Sequence, residues 1–167
     1  MFYEPDKDDH GLPFNPYKSI VVPRPIGWIS TISTDGIVNL APYSQFNNLA
    51  YDPPYVMFSA ASFPQTGRRK DSAKNAADTG EFVVNMATYD LRDAVNITSR
   101  FVPPEVDEAA LAGLEMIPSR LVKPPRVAAS PLFVWWMKWI HPQCGSVPGA
   151  PPRTKEPREP HSTGNRT

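Results

Sequence analysis

Only one cysteine, Cys144, stands among the 167 residues of this chain. An intramolecular disulfide is therefore excluded, and the chain fits a reducing compartment. Neither sign of charge is in surplus: lysine plus arginine number 17, aspartate plus glutamate 17. Nucleic-acid binding by phosphate neutralisation needs a basic excess, so the balance argues against that class. A local basic cluster still suits a small phosphate. Long apolar runs are also missing. The longest cluster, "PLFVWWMKWI", is too short and too interrupted to span a bilayer, and the N-terminal "MFYEPDKDDHG" lacks the apolar core of a secretory signal. A cytoplasmic chain is expected, with neither nucleic acid nor membrane as partner.

Histidine is as scarce as cysteine. His10, His141 and His161 are scattered, so no metal-ligand cluster is visible. No histidine is placed for a Ser-His-Asp triad, and no nucleophile-elbow sequence occurs. The GxGxxG and Walker signatures are absent, which disfavours the usual dinucleotide folds. No residue is assigned a catalytic role in acid–base or nucleophilic chemistry.

Proline, by contrast, is abundant, with 21 in all, and it crowds "PPRTKEPREP" from Pro151 to Pro160. Composition divides the chain into an N-terminal arm over 1–18, a folded domain over 19–131 and a tail over 132–167. Beyond 141 the tail has no periodicity. It cannot bury enough apolar surface to offset its ordering entropy, so disorder is expected there.

Within the domain, "PIGWISTIS" alternates as a strand, with Ile26, Trp28 and Ile32 on one side and Ile29 and Thr31 on the other. Asp35-Gly36 then marks a hairpin, because glycine tolerates the positive φ of a tight turn, and "IVNLA" is the return strand. The continuous run in "PPYVMFSAA" predicts a strand buried on both faces. "KDSAKNAADTG" predicts a short helix capped by Asp71 or Ser72 and ended by Gly80. "EFVVNMA" is a further strand. "TYDLRDAVNITS" reads as a helix capped by Thr88, with Leu91, Ala94, Val95 and Thr98 on one face. "PPEVDEAALAGL" is a second short helix, "SRLVKPPRVAASP" is extended, and "LFVWWMKWI" suits a strand.

Three stretches carry chemistry. In "TGRRKDSAKN", Arg68, Arg69 and Lys70 precede a helix start, whose N–H groups and partial positive charge suit an anion. With Ser72 they describe a phosphate site, or else a solvated basic loop. In "PRPIGWIS", Pro23 and Pro25 stiffen the backbone around Arg24. Arg24 and Trp28 then face a planar ligand, or else bracket a strand with a core tryptophan. In "APYSQFNN", Ser44, Gln45, Asn47 and Asn48 interleave with Tyr43 and Phe46. That is a donor–acceptor wall for a heteroaromatic ring, or else a polar loop. Ser59 ends the strand "YVMFSA".

Taken together, "PRPIGWISTIS", "NLAPYSQFN", "DPPYVMFSA" and "RRKDSAKNAADTGEFVVNM" resemble the flavin reductase-like, FMN-binding split-barrel family. The resemblance runs from about Pro16 to Pro131. It implies a mainly β protein with short helices (α+β), a Greek-key split barrel, and a homodimer binding FMN near its interface. By position, Arg24 and Trp28 would border the flavin. Ser44, Gln45, Phe46 and Asn47 would lie along the ring and ribityl chain, and Ser59, Ala60 and Ala61 would line the wall. Arg69, Lys70, Asp71 and Ser72 would hold the phosphate, with Asn75 nearby. The implied activity passes hydride from NAD(P)H to the flavin, with the protein supplying position and electrostatics. The segment from Leu132 onward has no counterpart in that resemblance and reads as a truncated or frame-shifted ending, which predicts a barrel incomplete at its C-terminal side. A non-catalytic FMN electron carrier and a product lacking a complete FMN site are the alternatives.

Overall fold

The computed structural model describes residues 11–13, 16–62 and 66–136. The start of the expected arm and the disorder expected beyond 141 lie outside these residues. At the arm's end, Tyr17–Ile20 forms a single helical turn, α1, rather than extended chain.

The hairpin forms as its sequence predicts. Strand β1 (Gly27–Ile32) turns at Asp35-Gly36 into β2 (Val38–Tyr43), paired from Gly27↔Tyr43 to Ile32↔Val38. Gly36 has φ 86°, and its N–H donates to the Ser33 carbonyl at 3.0 Å. β5 (Phe82–Met86) pairs with the other side of β1. β8 (Phe133–Trp136), from the tryptophan-rich segment, pairs with β5. The resulting sheet is antiparallel in the order β2-β1-β5-β8.

Alternation sends β1 side chains to two cores. Ile29 joins Tyr43, Phe58, Phe82 and Val84 on one face, under Ala76 of α2 (Asp71–Thr79). Trp28 joins Leu40, Ala109 and Val127 on the other, with Leu91, Ala94 and Val95 packed against them. Ile26 precedes the strand and is exposed, so it does not share Trp28's burial. A single 3-10 turn (Tyr89–Leu91) leads into α3 (Arg92–Ile97), and Thr88 makes no side-chain cap. The expected continuous, Thr88-capped helix is thus corrected, while its apolar face packs as predicted. α4 (Glu108–Leu111) is capped by Asp107, whose Oδ1 accepts from Ala109 N and Ala110 N at 2.9 and 3.0 Å. Short strands β6 (Met116–Ile117) and β7 (Arg126–Val127) pair with each other. Asn85 ties β7 to the sheet. Its Oδ1 accepts from Val127 N at 2.9 Å, and its Nδ2 donates to the Trp28 carbonyl at 3.1 Å.

Two readings are decided in the middle of the chain. The polar run "SQFNN", left open between a ligand wall and a polar loop, is not a loop throughout, because only Ser44 and Gln45 make a turn and β3 (Phe46–Tyr51) forms a separate two-stranded ribbon with β4 (Pro54–Phe58). Nor is β4 buried on both faces. Phe58 is buried in the core and Val56 packs partly buried against it, while Tyr55 and Met57 on the other face are exposed. An apolar run signals two-faced burial only where neighbours cover both faces, and among the described residues β4 pairs with β3 alone. Among the described residues, no helix is long and apolar enough to cross a membrane.

Candidate functional site

The turn Ser44–Gln45 joins β2 to β3, and the Gln45 carbonyl accepts from Ser59 N at 2.8 Å. With the pairs Phe46↔Phe58 and Asn47↔Met57, this bond sets the stretches 44–47 and 59–61 side by side, as one ledge. Gln45, Asn47, Ser59 and Ala61 are exposed and Ser44 is partly buried. Phe46 and Ala60 pack against the core beneath. The Phe46 ring lies so close over Gly27 that a Cβ there would meet its Cδ2 at 2.5 Å. Glycine at 27 is therefore a packing requirement, and it brings the start of β1, with the partly buried Arg24 just before it, toward the ledge.

The α2 start sits against Tyr43, the last residue of β2. Lys70 Nζ lies 5.7 Å from the Tyr43 ring centre and 5.6 Å from that of Phe101, so Tyr43 touches the helix start while its neighbour Ser44 begins the ledge. Burial pushes the Tyr43 hydroxyl up to about 12, against a hydrogen bond with Ser72 that pulls it down. Lys70 is the N-cap residue of α2, and no side chain caps the helix. Its first-turn N–H groups, the exposed Arg69 and the partly buried Lys70 together have the composition of an anion site. Asp71 and Ser72 do not cap it, contrary to expectation. Asp71 Oδ1 pairs with Arg68 Nη1 at 2.8 Å, and Ser72 is turned under the helix.

Three of the expected site residues are committed elsewhere. Trp28 has no exposed surface, and its Nε1 donates to Thr98 Oγ1 at 2.9 Å. The ring is a core element with no open face on which a ligand could stack. Ser72 Oγ donates to Asn39 Oδ1 at 3.1 Å, and Asn75 Nδ2 donates to Thr31 Oγ1 at 3.3 Å. Both are buried polar anchors of α2 on the sheet.

Sequence reasoning missed Asn39 and Glu108. Glu108 looks like an ordinary acid in the first turn of a helix, yet it is 7% exposed. Its Oε1 accepts from Asn39 Nδ2 at 2.9 Å and its Oε2 from Leu40 N at 3.2 Å. Burial raises its carboxyl above the ordinary value, opposed by its own backbone N–H, Leu40 and Asn39, and aided by Asp71. The one signal in the sequence was an asparagine inside an otherwise apolar return strand. Asn39, Tyr43, Lys70, Ser72, Phe101 and Glu108 are among the residues lining a cavity of about 60 Å³. Small-molecule pockets run from about 300 Å³ upward, so this cavity is too small to enclose a ligand of drug size.

A model of the flavin reductase-like domain matches residues 19–141, a span that includes β8. An uncharacterized protein of Aquifex aeolicus is 48% identical over 108 residues, covering 65% of this chain and 55% of that one. Nitrilotriacetate monooxygenase component B from Bacillus cereus superposes with a TM-score of 0.72 at 30% identity, covering 81% of this chain and 66% of that one. A split-barrel-domain protein from Shewanella frigidimarina superposes with a TM-score of 0.58 at 20% identity, covering 67% of this chain and 54% of that one, and shows the fold alone. The chain spans about half the length of the curated relatives it matches.

Proposed function

This chain belongs to the flavin reductase-like domain family, and we propose that it binds FMN and serves an oxidoreductase in which a nicotinamide, NADH or NADPH, reduces the flavin. One observation carries the reading: Tyr43 touches Lys70 at the α2 start and is followed at once by Ser44 of the ledge. A phosphate-suited helix start and a polar ledge therefore adjoin. The residues fit the group in two parts. Arg69, Lys70 and the first-turn N–H groups of α2 would hold the phosphate, charge-assisted and with the helix dipole. Ser44, Gln45, Asn47 and Ser59 would give hydrogen bonds to the ring edge and ribityl chain, with Phe46 and Ala60 as the apolar floor. The flavin, when bound, supplies the redox chemistry. The chain's own residues bind and orient it, and none of the four polar ledge residues titrates near neutral pH, which fits a role without acid–base catalysis.

The exposure of the ledge supports a second wall from a partner subunit, so the reading includes a homodimer. Purified chain tests both parts. A yellow preparation with an FMN spectrum, eluting as a dimer, is the expected result. Bleaching of that spectrum by NADH or NADPH without oxygen separates a reductase from an electron carrier, and a colourless chain that takes up no added FMN overturns the proposal.

A further inference from the structure

Among the described residues β2 is an edge strand of the main sheet, and Glu108 is the acceptor for the Leu40 N–H on it, at 3.2 Å. The other oxygen of the same carboxylate accepts from Asn39 Nδ2 at 2.9 Å. Both oxygens of the Glu108 carboxyl are thus acceptors. Asn39 must therefore turn its NH2 toward Glu108 and its carbonyl oxygen toward α2. Ser72 Oγ in turn must donate to that oxygen, which it does at 3.1 Å. Asn39, Ser72 and Glu108 are all buried, at 6%, 1% and 7% exposure. Side chains from α4, β2 and α2 thus form one chain of hydrogen bonds whose direction is set at Glu108. Its far end, Ser72, lies in the first turn of α2, two residues after Lys70.

We propose that Glu108 is a positioning residue for the anion-binding start of α2, acting through Asn39 and Ser72. Its use in binding rests on the FMN reading above, but its geometric content does not. Removing the carboxylate leaves two buried donors without their acceptor, frees the Asn39 amide to turn, and releases Ser72 from its fixed partner. Gln at 108 behaves differently. Its carbonyl can accept from Leu40 N while its amide donates to a reversed Asn39, which then donates to Ser72 Oγ. The chain survives with its direction inverted and its charge gone, because a serine hydroxyl both donates and accepts. Rescue by Gln but not by Ala is the signature of positioning through this chain rather than of charge at a distance.

Amide hydrogen exchange on the whole chain tests it, comparing residues 74–77 of α2, where the intrahelical bonds begin with Lys74 N donating to the Lys70 carbonyl, with residues 82–85 of β5. Glu108→Ala is expected to speed exchange in 74–77 by about tenfold or more with 82–85 little changed, and to weaken FMN binding in a fluorescence titration. Glu108→Gln should return both toward wild type, and adding Asn39→Ala to it should abolish the rescue. Ser72→Ala cuts the chain at its far end while leaving both donors to Glu108. It should loosen 74–77 in the same way, and it decides the matter if Glu108→Ala does not fold. Unchanged exchange in 74–77, equal acceleration in both segments, or a Gln variant as loose as the Ala variant would overturn the proposal. If wild type binds no FMN, the flavin reading fails while the exchange result still decides the positioning role.

Discussion

Trp28 Nε1 donates to Thr98 Oγ1 at 2.9 Å across 70 residues of sequence. The bond fastens the end of α3 to β1 and makes the ring part of the core. Removing the acceptor strands a buried indole N–H, which costs about 1–3 kcal/mol. Thr98→Val, nearly isosteric, should therefore lower the unfolding free energy by about that amount in urea titrations. FMN affinity of the folded variant should stay close to wild type, because Trp28 borders no open surface. A variant as stable as wild type would mean the indole N–H is not stranded.

The α2 start makes a second prediction. Arg69→Glu with Lys70→Glu places two negative charges where the helix dipole and N–H groups favour an anion. FMN affinity should fall by well over about tenfold, from lost charge-assisted contacts and added repulsion. The melting temperature should change little, since Arg69 is exposed and Lys70 only partly buried. Equal FMN affinity in the two proteins would remove the phosphate from this end of α2.

Gly27 and Phe46 form a pair. An added Cβ at 27 would lie 2.5 Å from the Phe46 ring, so Gly27→Ala should destabilise by about 1–3 kcal/mol through overpacking. Combining it with Phe46→Leu should cost less than the sum of the two single changes, because the smaller side chain makes room for the methyl. Additive effects in the double-mutant cycle would show that the ring moves aside freely.

Glu108 links stability to pH with a definite sign. Burial raises its carboxyl above the ordinary 4.5, so the folded chain keeps a proton there that the unfolded chain has released. Its contribution is full below that ordinary value and declines as pH rises through the raised folded one. Asp71 adds to the rise, and Tyr43, Lys70 and Arg100 line the same cavity. Glu108→Gln removes the decline. The melting-temperature difference, variant minus wild type, should grow more positive as pH rises above the ordinary carboxyl value of 4.5. A difference that is flat or shrinks would contradict the sign.

Local chemistry was legible in the residues themselves. Asp35-Gly36 announced its hairpin and Gly80 its helix end because a positive φ is set by glycine within its own turn. The stretches 44–47 and 69–72 stood out as polar or basic runs beside strand and helix ends and Ser59 as a polar strand end, whereas Ala60 and Ala61 came only from the resemblance; the structure sets 44–47 beside 59–61, with Tyr43 next to them under Lys70. The capping of α2 was misread because Asp71 and Ser72 are good caps in isolation, while their actual partners are Arg68 and Asn39.

What the sequence determined by itself was the strands β1, β2, β4 and β5, the glycine turns and the basic helix start, all of which depend on neighbours a few residues away. Only the tertiary structure decided which side of each choice prevailed. Trp28 became core because Thr98 and the α3 face cover it. β4 stayed open because only β3 pairs with it. Glu108 became a buried anchor because β2, 69 residues earlier, offers it Asn39 Nδ2. Burial and hydrogen-bond partnership are properties of what packs around a residue, and no local periodicity encodes a contact made across the fold.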